Sequence, residues 1–544
     1  MGFGSKILNN SVGSLLAQQA VIATTSNNIA NANTPGYARR TLELETRTGS
    51  VSGGQISIGN GVEIGRIVRS VDVFVDKLLR EAGGEKAGFD VENDILNRVQ
   101  NLFSLNESAP TIGSTLTEFY NAVNDLAANP ASLELRSNMI ERGKDLVNTI
   151  KTTYTTIGSL QTQADSQIKT EIDSVNTLAT QIADLNGQVR TRESTGNVAA
   201  DERDQRDVLL QKLAEKVQYT LLEDPDGTTN IFIGKGFALV SGSTARQLDY
   251  TQTPSFAAGS TPPSLSGGAL GYIVYDYDSS AGSSHIDLTQ SMQAGSGTIG
   301  SLLRLRGYND PSNTSAFQSD GSLVDVASRI EAIARTLLTS VNRTYLGASD
   351  EDPGTAGFQA SSGDLYGASP SPFGLFSFAG ASDPNSDGLP TGADLTTIGY
   401  DNYASLLTFN VTDPKSIAAA YDSDPTAGAT TFPPGDGQNL LALSTILQST
   451  NLSFAQGSFS FTGSFDQAYN EAVSHVGVLK STAASNQKVA DANYVAAQSK
   501  HDSVSGVSLD EEFSGLIKFQ KAFQASARMI KVADDLLDQI VRLI

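Results

Sequence analysis

The sequence predicts an α+β protein of several domains, in which a long helical coiled-coil stem formed by both chain termini carries one or two β-rich outer domains inserted in the middle. Two observations predict this architecture. Apolar residues recur every seven positions at both ends of the chain, and helical patterns on either side enclose a stretch rich in Gly, Ser, Thr and Tyr. The chain is therefore expected to run out along a stem and to return along it.

The seven-residue apolar repeat marks both terminal segments. A repeat of this period keeps one stripe of a helix facing a partner helix, with slight left-handed supercoiling. The partner is either the other end of the same chain or the ends of other chains. The residues of the repeat are Leu8, Leu15, Ile22 and Ile29 at the start, and Leu509, Leu516, Phe523, Ile530, Leu537 and Ile544 at the end.

The first predicted domain, residues 1–69, combines a helix with an extended ribbon. The helix covers residues 5–33 and ends before Pro35, because the residue before a proline is pushed out of helical space. Pro35 and Gly36 suit the two central positions of a type II turn over residues 34–37, with Gly36 taking the positive φ. Residues 38–68 alternate polar and apolar side chains with glycine breaks, which is typical of paired strands.

The second predicted domain, residues 70–217, is the N-terminal part of the stem. A helix over 70–106 is expected to be interrupted at Gly83 and Gly84. A long helix over 132–190, started by Ser132, would form a rod of roughly 90 Å at 1.5 Å per residue. A further helix covers 200–217, and its charged first half is expected to face solvent.

The remaining three domains follow from a change in composition near residue 218. Residues 218–440 are predicted to form the β-rich acidic outer region, interrupted by a helix near 323–346. Residues 441–507 form the C-terminal part of the stem, with helices at about 438–449 and 464–500. Residues 508–544 form a C-terminal axial helix.

Composition excludes several classes of protein. With 37 basic and 59 acidic residues, the net charge of −22 argues against nucleic-acid binding. The absence of cysteine excludes disulfides and thiolate-ligated metal sites. No apolar run reaches the length of a membrane span, and the N-terminus lacks the pattern of a cleaved secretory signal.

Motifs for catalysis are missing from the sequence. The three histidines, His285, His475 and His501, form no metal-binding motif, and there is no phosphate loop or nucleophile elbow. The run 234–236, Gly-Lys-Gly, is interpreted as a hairpin turn rather than a phosphate loop. We therefore predict that the protein is not an enzyme and needs no cofactor.

One segment resembles a calcium loop. Asp383, Asn385, Asp387 and Asp394 occupy ligand positions of the helix–loop–helix calcium motif. The second position is proline, the last ligand is Asp instead of Glu, and no helices flank the segment, so a plain acidic surface loop is favoured. Calcium binding stays open as the alternative.

Asparagine is unusually frequent at the end of the first helix. Asn is a poor helix former because its side chain competes for backbone hydrogen bonds. The residues Asn27, Asn28, Asn31 and Asn33 could therefore mark a fraying helix end, or form an amide-rich surface that bonds to adjacent subunits. On the second interpretation, replacing Asn27 and Asn28 with alanine would impair assembly without affecting folding of the monomer.

Both ends of the chain resemble the bacterial flagellar rod, hook and hook-associated proteins. The N-terminal signature of this family is similar to residues 26–40, SNNIANANTPGYARR. Its C-terminal signature is similar to residues 508–540, which begin with SLDEEF. Within this family, residues 201–210 (DERDQRDVLL) and 411–420 (VTDPKSIAAA) are most similar to the proteins at the junction between hook and filament. Other axial components, such as a hook or distal-rod protein, are the alternative. A more distant alternative is that the middle region is a calcium-binding adhesin or an enzyme.

The resemblance implies a structural subunit that is exported by the flagellar type III apparatus and builds a tube outside the cell. Its implied partners are further copies of itself, the hook protein on one side, the next hook-associated protein on the other, and an export chaperone on the C-terminal helix. The implied assembly interface comprises the residues of the seven-residue repeat together with Asn27, Asn28, Asn31, Asn33, Thr34, Pro35, Gly36 and Tyr37. Both termini are expected to fold on assembly, because an isolated helix is marginally stable.

Overall fold

The computed structural model describes residues 3–47, 61–103, 110–252, 264–265, 270–276, 285–308, 321–346, 362–363, 374–378, 403–421 and 434–543. The predicted α+β class, with long terminal helices around a β-containing middle, is confirmed. The N-terminal elements are α1 (Phe3–Ala30), β1 (Arg40–Thr46), β2 (Val62–Arg69), α2 (Val73–Phe103), α3 (Ile112–Ala128), α4 (Leu133–Glu193) and α5 (Ala200–Lys216).

The middle of the chain combines short strands with helices. Its strands are β3 (Tyr219–Glu223), β4 (Thr229–Ile233), β5 (Phe237–Ser241), β6 (Thr244–Ala245), β7 (Leu248–Thr251), β8 (Tyr272–Asp276), β9 (His285–Asp287), β10 (Ser362–Gly363), β11 (Phe376–Phe378), β12 (Leu407–Phe409) and β13 (Ala420–Tyr421). Its helices are α6 (Thr289–Gln293), α7 (Thr298–Arg306), α8 (Ser322–Thr336), a π-helical turn (Leu337–Val341), α9 (Asn342–Leu346), α10 (Tyr403–Leu406) and a 3₁₀ turn (Pro414–Ser416).

The C-terminal elements are α11 (Gln438–Leu447), the strands β14 (Leu452–Gln456) and β15 (Phe459–Gly463), α12 (Phe465–Ser505) and α13 (Leu509–Leu543). All described strand pairs are antiparallel. They form sheets ordered β3-β4-β5-β6 and β7-β8-β9, and the two-stranded pairs β1-β2, β10-β13, β11-β12 and β14-β15. The turn at residues 234–236 joins β4 to β5, so its interpretation as a hairpin is confirmed.

Helix α4 is the backbone of the molecule. It has 61 residues, and the side chain of Ser132 caps its start by accepting a hydrogen bond from the backbone N–H of Leu135. One side of the helix is buried along its length, from Met139 to Val189. The same apolar core continues into α2, α3, α5, α8, α12 and the sheets of the middle region. Stem and outer region thus share one core, and the domain boundaries proposed from the sequence stay a prediction.

Helix α2 runs through Gly83 and Gly84 without a break, so the expected interruption is wrong. Packing overrides the low helix propensity of glycine here. A Cβ atom on Gly84 would lie 2.6 Å from the carbonyl oxygen of Ala214 in α5. The carbonyl of Gly84 also accepts a hydrogen bond from the N–H of Gly297 at 3.1 Å. The glycines therefore allow close approach of neighbouring backbone within the helix.

Three other expectations differ from the structure. Helix α1 ends at Ala30, three residues before the predicted end. The region 218–320 contains the buried helix α7, because its apolar residues are spaced for burial on all sides. The hairpin β14–β15 lies between the helices predicted at 438–449 and 464–500, in a part of the stem where no strand was predicted, and the residues of β14 alternate between buried and exposed. Within the described residues, no helix combines the length and apolar character needed to cross a membrane.

Candidate functional site

The first and last helices of the chain lie antiparallel to each other and form the terminal helix pair, α1 and α13. Two hydrogen bonds fix their register. The hydroxyl oxygens of Ser14 and Ser526 are 3.0 Å apart, and the side-chain amide of Asn28 donates to Oε2 of Glu512 at 3.1 Å. The two ends of one chain therefore pack on each other. That they also share their apolar repeat with other chains stays a prediction.

The seven-residue repeat flanks the contact between the two helices instead of filling it. Among its described side chains, Leu509 is exposed and the others are half-buried. The side chain of Leu537 and the whole of Ile544 lie outside the described residues. The side chains that are buried in the pair are mostly small or polar: Ser11, Ala17, Val21, Thr25, Asn28, Glu512 and Ala533.

Large apolar side chains remain exposed on both helices. Burying one such side chain is worth about 1.5–3 kcal/mol, so their exposure leaves a large stabilisation unused in the single chain. Several large apolar side chains exposed on one helix pair are typical of an interaction site. The residues, each at least 40% exposed, are Val12 and Leu16 on α1 and Leu509, Phe513, Ile517, Met529, Val532 and Leu536 on α13.

The turn at residues 34–37, the signature turn, connects α1 to the strand β1. The N–H of Tyr37 donates to the carbonyl of Thr34 at 3.1 Å, and Gly36 has a φ of +77°. This geometry confirms the predicted turn and the positive φ of its glycine. Thr34, Pro35 and Gly36 are exposed, and Gly36 also lies beside helix α5, where a Cβ atom would be 2.1 Å from Cγ2 of Val208.

Asn28 is the centre of the polar contacts below this turn. Its Nδ2 donates to the carbonyl of Arg40 at 2.9 Å as well as to Glu512, and its Oδ1 accepts from the N–H of Arg40 at 3.1 Å. The hydroxyl of Tyr37 lies 2.8 Å from the same oxygen, and burial raises the pKa of that hydroxyl. Asn28 is only 1% exposed, so the expectation that it faces an adjacent subunit is wrong.

The other asparagines are more accessible. Asn31 donates to the carbonyl and the side-chain oxygen of Asn27 at 3.0 and 3.2 Å, which closes the last turn of the helix. Asn27 and Asn33 are exposed. The two interpretations offered by the sequence thus apply to different residues: Asn31 and Asn27 finish a helix end, and Asn33 presents an amide to solvent.

Three arginines anchor the N-terminal segment to two other parts of the chain, and we call them and their carboxylate partners the arginine network. Arg39 donates from Nε to Glu512 at 2.7 Å and lies 3.3 Å from Glu511. The remaining contacts run to α5: Arg40 to Asp201 and Asp204 at 2.6 and 2.8 Å, and Arg69 to Asp204 and Asp207 at 2.7 and 2.5 Å.

Asp204 lies at the middle of the arginine network. Its side chain is 9% exposed, and burial raises the pKa of its carboxyl while Arg69 and Arg40 oppose that shift. Glu202 and Arg206 of the same helix are also buried. The expectation that the charged first half of α5 faces solvent is therefore wrong for these residues, because the signature turn, β2 and the end of α4 cover it.

The sequence pointed to three segments as separate resemblances, and the structure brings them together. Residues 26–40, 201–210 and 508–512 meet at the arginine network. The carboxylate partners of the arginines were missed. The available signal was the contrast between residues 1–40, which contain no acidic residue, and the acid-rich start of α5 and α13.

The absence of a metal site stays a prediction from the sequence. No group of three or more potential ligands is gathered among the described residues. His475 contacts Asp325 at 2.6 Å, an intramolecular pair between α12 and α8. The candidate calcium ligands Asp383, Asn385, Asp387 and Asp394 lie outside the described residues.

Comparison with known families gives three matches along the chain. Residues 96–358 match the helical domain of the flagellar hook-associated protein FlgK, residues 498–543 match the C-terminal family of the flagellar basal body rod proteins FlgEFG, and residues 8–37 match the flagella basal body rod protein family. The terminal matches cover both helices of the terminal helix pair.

Relatives match over nearly the whole chain. Flagellar hook-associated protein 1 of Salmonella typhimurium is 28% identical over 576 residues, covering 99% of this chain and 100% of the relative. The proteins of the same name from Escherichia coli and Bacillus subtilis are 25% and 24% identical, covering 99% and 97% of this chain and 100% and 96% of the relatives.

A solved structure supports the fold. The flagellar hook junction protein FlgK from Burkholderia pseudomallei superposes with a TM-score of 0.55 at 14% identity, covering 78% of this chain and 100% of that one. With the terminal helix pair and the meeting of the three segments, these matches show that the chain is similar to flagellar hook-associated protein 1 over nearly its whole length and has a structural role in the axis of the bacterial flagellum.

Proposed function

We propose that this protein joins the hook of the flagellum to the filament, as one layer of a hollow tube built from the terminal helix pairs of many copies. The observation that carries the proposal is the exposed apolar surface of the terminal helix pair. Residues such as Leu16, Phe513 and Ile517 are about half exposed on helices that have few buried apolar side chains of their own. Packing against neighbouring copies would bury them.

The arginine network supports the same function. It fixes the terminal helix pair to the body of the protein, meaning the elements from α2 to α12, through charged groups on both sides. The pairing of Arg40 and Arg69 with Asp204 holds the signature turn on α5. A tube layer needs such a connection, because the body must project from the tube at a defined angle.

The assembly interface of the proposal includes the apolar repeat and the exposed part of the signature turn. Asn33, Thr34 and Pro35 are accessible to neighbouring subunits, whereas Asn28 acts inside the chain. The proposed partners are further copies of this chain, the hook protein on one side and the next hook-associated protein on the other. We also propose that an export chaperone binds α13 before assembly.

The proposal places the protein outside the cell after export by the flagellar type III apparatus. It assigns no catalytic activity and no cofactor to the chain. Titration of the purified full chain with calcium tests the segment around Asp383. A calorimetric signal at or below millimolar calcium would assign a ligand that the proposed function does not require.

Electron microscopy of a deletion strain tests the proposed position. Cells without this chain are expected to build complete hooks that carry no filament, and a plasmid copy is expected to restore the filament. Absence of hooks would instead indicate a hook or distal-rod protein. Normal filaments in the deletion strain would contradict an essential place at the junction.

A further inference from the structure

Between residues 510 and 538, helix α13 carries its charges in three separate blocks, and Arg542 follows them at the end of the helix. An acidic block is followed by a basic block and by a second acidic block. The acidic residues are Asp510, Glu511 and Glu512 in the first block and Asp534, Asp535 and Asp538 in the second, and the basic residues are Lys518, Lys521, Arg528 and Lys531. All of these side chains except Glu512 are exposed.

Among the residues that the structure describes, no carboxylate neutralises the basic block. Helix α1, which packs along α13, has Lys6 as its single charged residue and contains no acidic side chain. Glu511 and Glu512 of α13 form ion pairs with Arg39. The four side chains of the basic block therefore face solvent without a carboxylate within 4.0 Å among the described residues.

The order of the blocks is complementary to itself after an axial shift. The block centres lie near residues 511, 524 and 536, so neighbouring centres are about 12–13 residues apart, roughly 18–20 Å at 1.5 Å per residue. A second α13 that runs parallel and is shifted by this distance places its first acidic block beside the basic block. The same shift places its basic block beside the second acidic block.

The same pattern disfavours the two arrangements without an axial shift. Of the shifted arrangements, the parallel one fits the proposed tube, in which copies related by a head-to-tail repeat point in the same direction. Parallel helices without a shift place each block beside an identical block. Antiparallel helices centred on residue 524 do so too, because the order acidic, basic, acidic reads the same in both directions. Like charges in contact are unfavourable, and charges beside an apolar stripe set the register of helix pairs.

We propose that α13 docks on α13 of a second copy of this chain, parallel and shifted by about 12–13 residues, and that the charge blocks set the shift. The inference rests on the proposed tubular assembly and deepens it. The same helix exposes Phe513, Ile517, Met529, Val532 and Leu536, which supply the apolar contact that the charges align. The shift then equals the axial offset between these two copies.

Cross-linking in intact flagella tests the shift directly, because the chain contains no cysteine. The variant carries Ala527→Cys and Gln539→Cys, two exposed positions 12 residues apart. Within one helix these positions are roughly 18 Å apart, beyond the reach of a short bis-maleimide. In shifted neighbours they face each other, so we expect a ladder of cross-linked multimers. Each single variant can cross-link only if neighbouring α13 helices lie side by side without a shift. Both single variants are therefore expected to run as monomers on a denaturing gel.

The outcomes separate this inference from the proposed function. Flagella with normal filaments and no ladder, or an equal ladder in a single variant, would overturn the shift and leave the junction role intact. A deletion strain that builds normal filaments would overturn the junction role, and with it the inference.

Charge reversal provides a second test in the full chain. Lys521→Glu with Arg528→Glu places carboxylates beside the second acidic block of the neighbour, so we expect the fraction of hooks with filaments to fall several-fold. Adding Asp534→Lys and Asp535→Lys restores opposite charges there and is expected to recover part of the loss. The recovery is partial because the first acidic block of another neighbouring copy, residues 510–512, still lies beside the reversed positions 521 and 528. Equal loss with and without the compensating pair would contradict the proposal.

Discussion

The side-chain amide of Asn28 donates a hydrogen bond of 3.1 Å to Oε2 of Glu512, which joins two residues 484 positions apart in the chain. Asn28 is 1% exposed and Glu512 is 4% exposed. Glu512 also accepts from Nε of Arg39 at 2.7 Å. The N-terminal signature and the start of α13 therefore hold each other in place through buried polar contacts, and each end depends on the other.

Replacing Asn28 with alanine is expected to loosen both ends of the chain. The change leaves the carboxylate of Glu512 and the backbone of Arg40 with fewer partners, which costs about 1–3 kcal/mol for each buried group left unsatisfied. Hydrogen exchange should become faster in residues 26–46 and 509–516 while the body is unchanged. The exposed residue Asn33 supplies the control, since Asn33→Ala should leave exchange unaltered. Exchange at the wild-type rate in Asn28→Ala would show that the contact contributes nothing.

Much of the local structure follows from the sequence because its signals are local. Ser132 ahead of an apolar periodic run predicts the start of α4, and Pro35 with Gly36 predicts the signature turn. The break at Gly83 was predicted on the same kind of local signal and is wrong. Contacts with α5 and with residue 297 stabilise the helix at this point. The residues next to Gly83 in the sequence do not predict these contacts.

The candidate site was predicted in its parts but not in its connections. Arg40 and Asp204 are 164 positions apart, so no pattern in one sequence joins them. Local sequence also does not predict which charged residues are buried. The acidic start of α5 has the composition of a solvated surface, and the segments that cover it lie elsewhere in the chain. Asn28 was identified as unusual, yet its direction, inward and not outward, depends on the position of α13.

Gly36→Ala is expected to detach the signature turn from α5. A Cβ atom there lies 2.1 Å from Cγ2 of Val208, and the φ of +77° adds about 1–2 kcal/mol of strain for an L-residue. Gly196→Ala is a matched control, because its φ is +83° and nothing lies within 4 Å of the added atom. Hydrogen exchange of residues 31–46 should rise in Gly36→Ala and stay unchanged in Gly196→Ala. Adding Val208→Ala should recover part of the protection. If both glycine variants behave alike, strain alone and not contact with α5 explains the effect.

Arg306→Met is expected to destabilise the body by about 3–5 kcal/mol, because it leaves the buried carboxylate of Asp165 without its cationic partner. The guanidinium of Arg306 is fully buried and contacts Asp165 at 2.5 Å, the hydroxyl of Tyr250 at 3.0 Å and the carbonyl of Gly271 at 2.9 Å. Urea unfolding followed by circular dichroism measures the free energy of unfolding.

The double variant Arg306→Met with Asp165→Leu is the control for this prediction. It removes both charges, so its loss should be smaller than that of the single variant. Equal losses would indicate that packing of the long arginine side chain, and not the unpaired carboxylate, dominates the effect.

The corner between α4 and α5 should lose stability in acid. The guanidinium of Arg203 binds Glu193 through Nε and Nη2 at 2.7 and 2.9 Å, and these hydrogen bonds hold the pKa of the Glu193 carboxyl below its usual value. A lowered carboxyl pKa stabilises the fold at pH values above the unfolded pKa of about 4.3, and the contribution disappears as the pH falls through the folded pKa. Glu193→Gln should therefore lower Tm at pH 7 and lose less stability than the wild type between pH 5 and pH 3.

The control for the pH prediction is Glu141→Gln, which alters an exposed carboxylate paired with Lys144 three residues away on the same helix. Its Tm should follow the wild type at all pH values, because exposed pairs contribute little. Parallel curves for wild type and Glu193→Gln would contradict the assigned role of the Arg203 contact.

Limited proteolysis of the purified monomer should remove both terminal helices before it cuts the body. The pair buries few apolar side chains of its own, whereas α4 is buried along one side for its full length. Such a pair gains little from packing and opens locally at a low free energy. Mass spectrometry of a trypsin time course should show early cleavage near Lys518, Lys521 and Arg528, which are exposed. In assembled flagella the same sites should be protected. Termini as resistant as the body in the monomer would show that α1 and α13 are stable without neighbours.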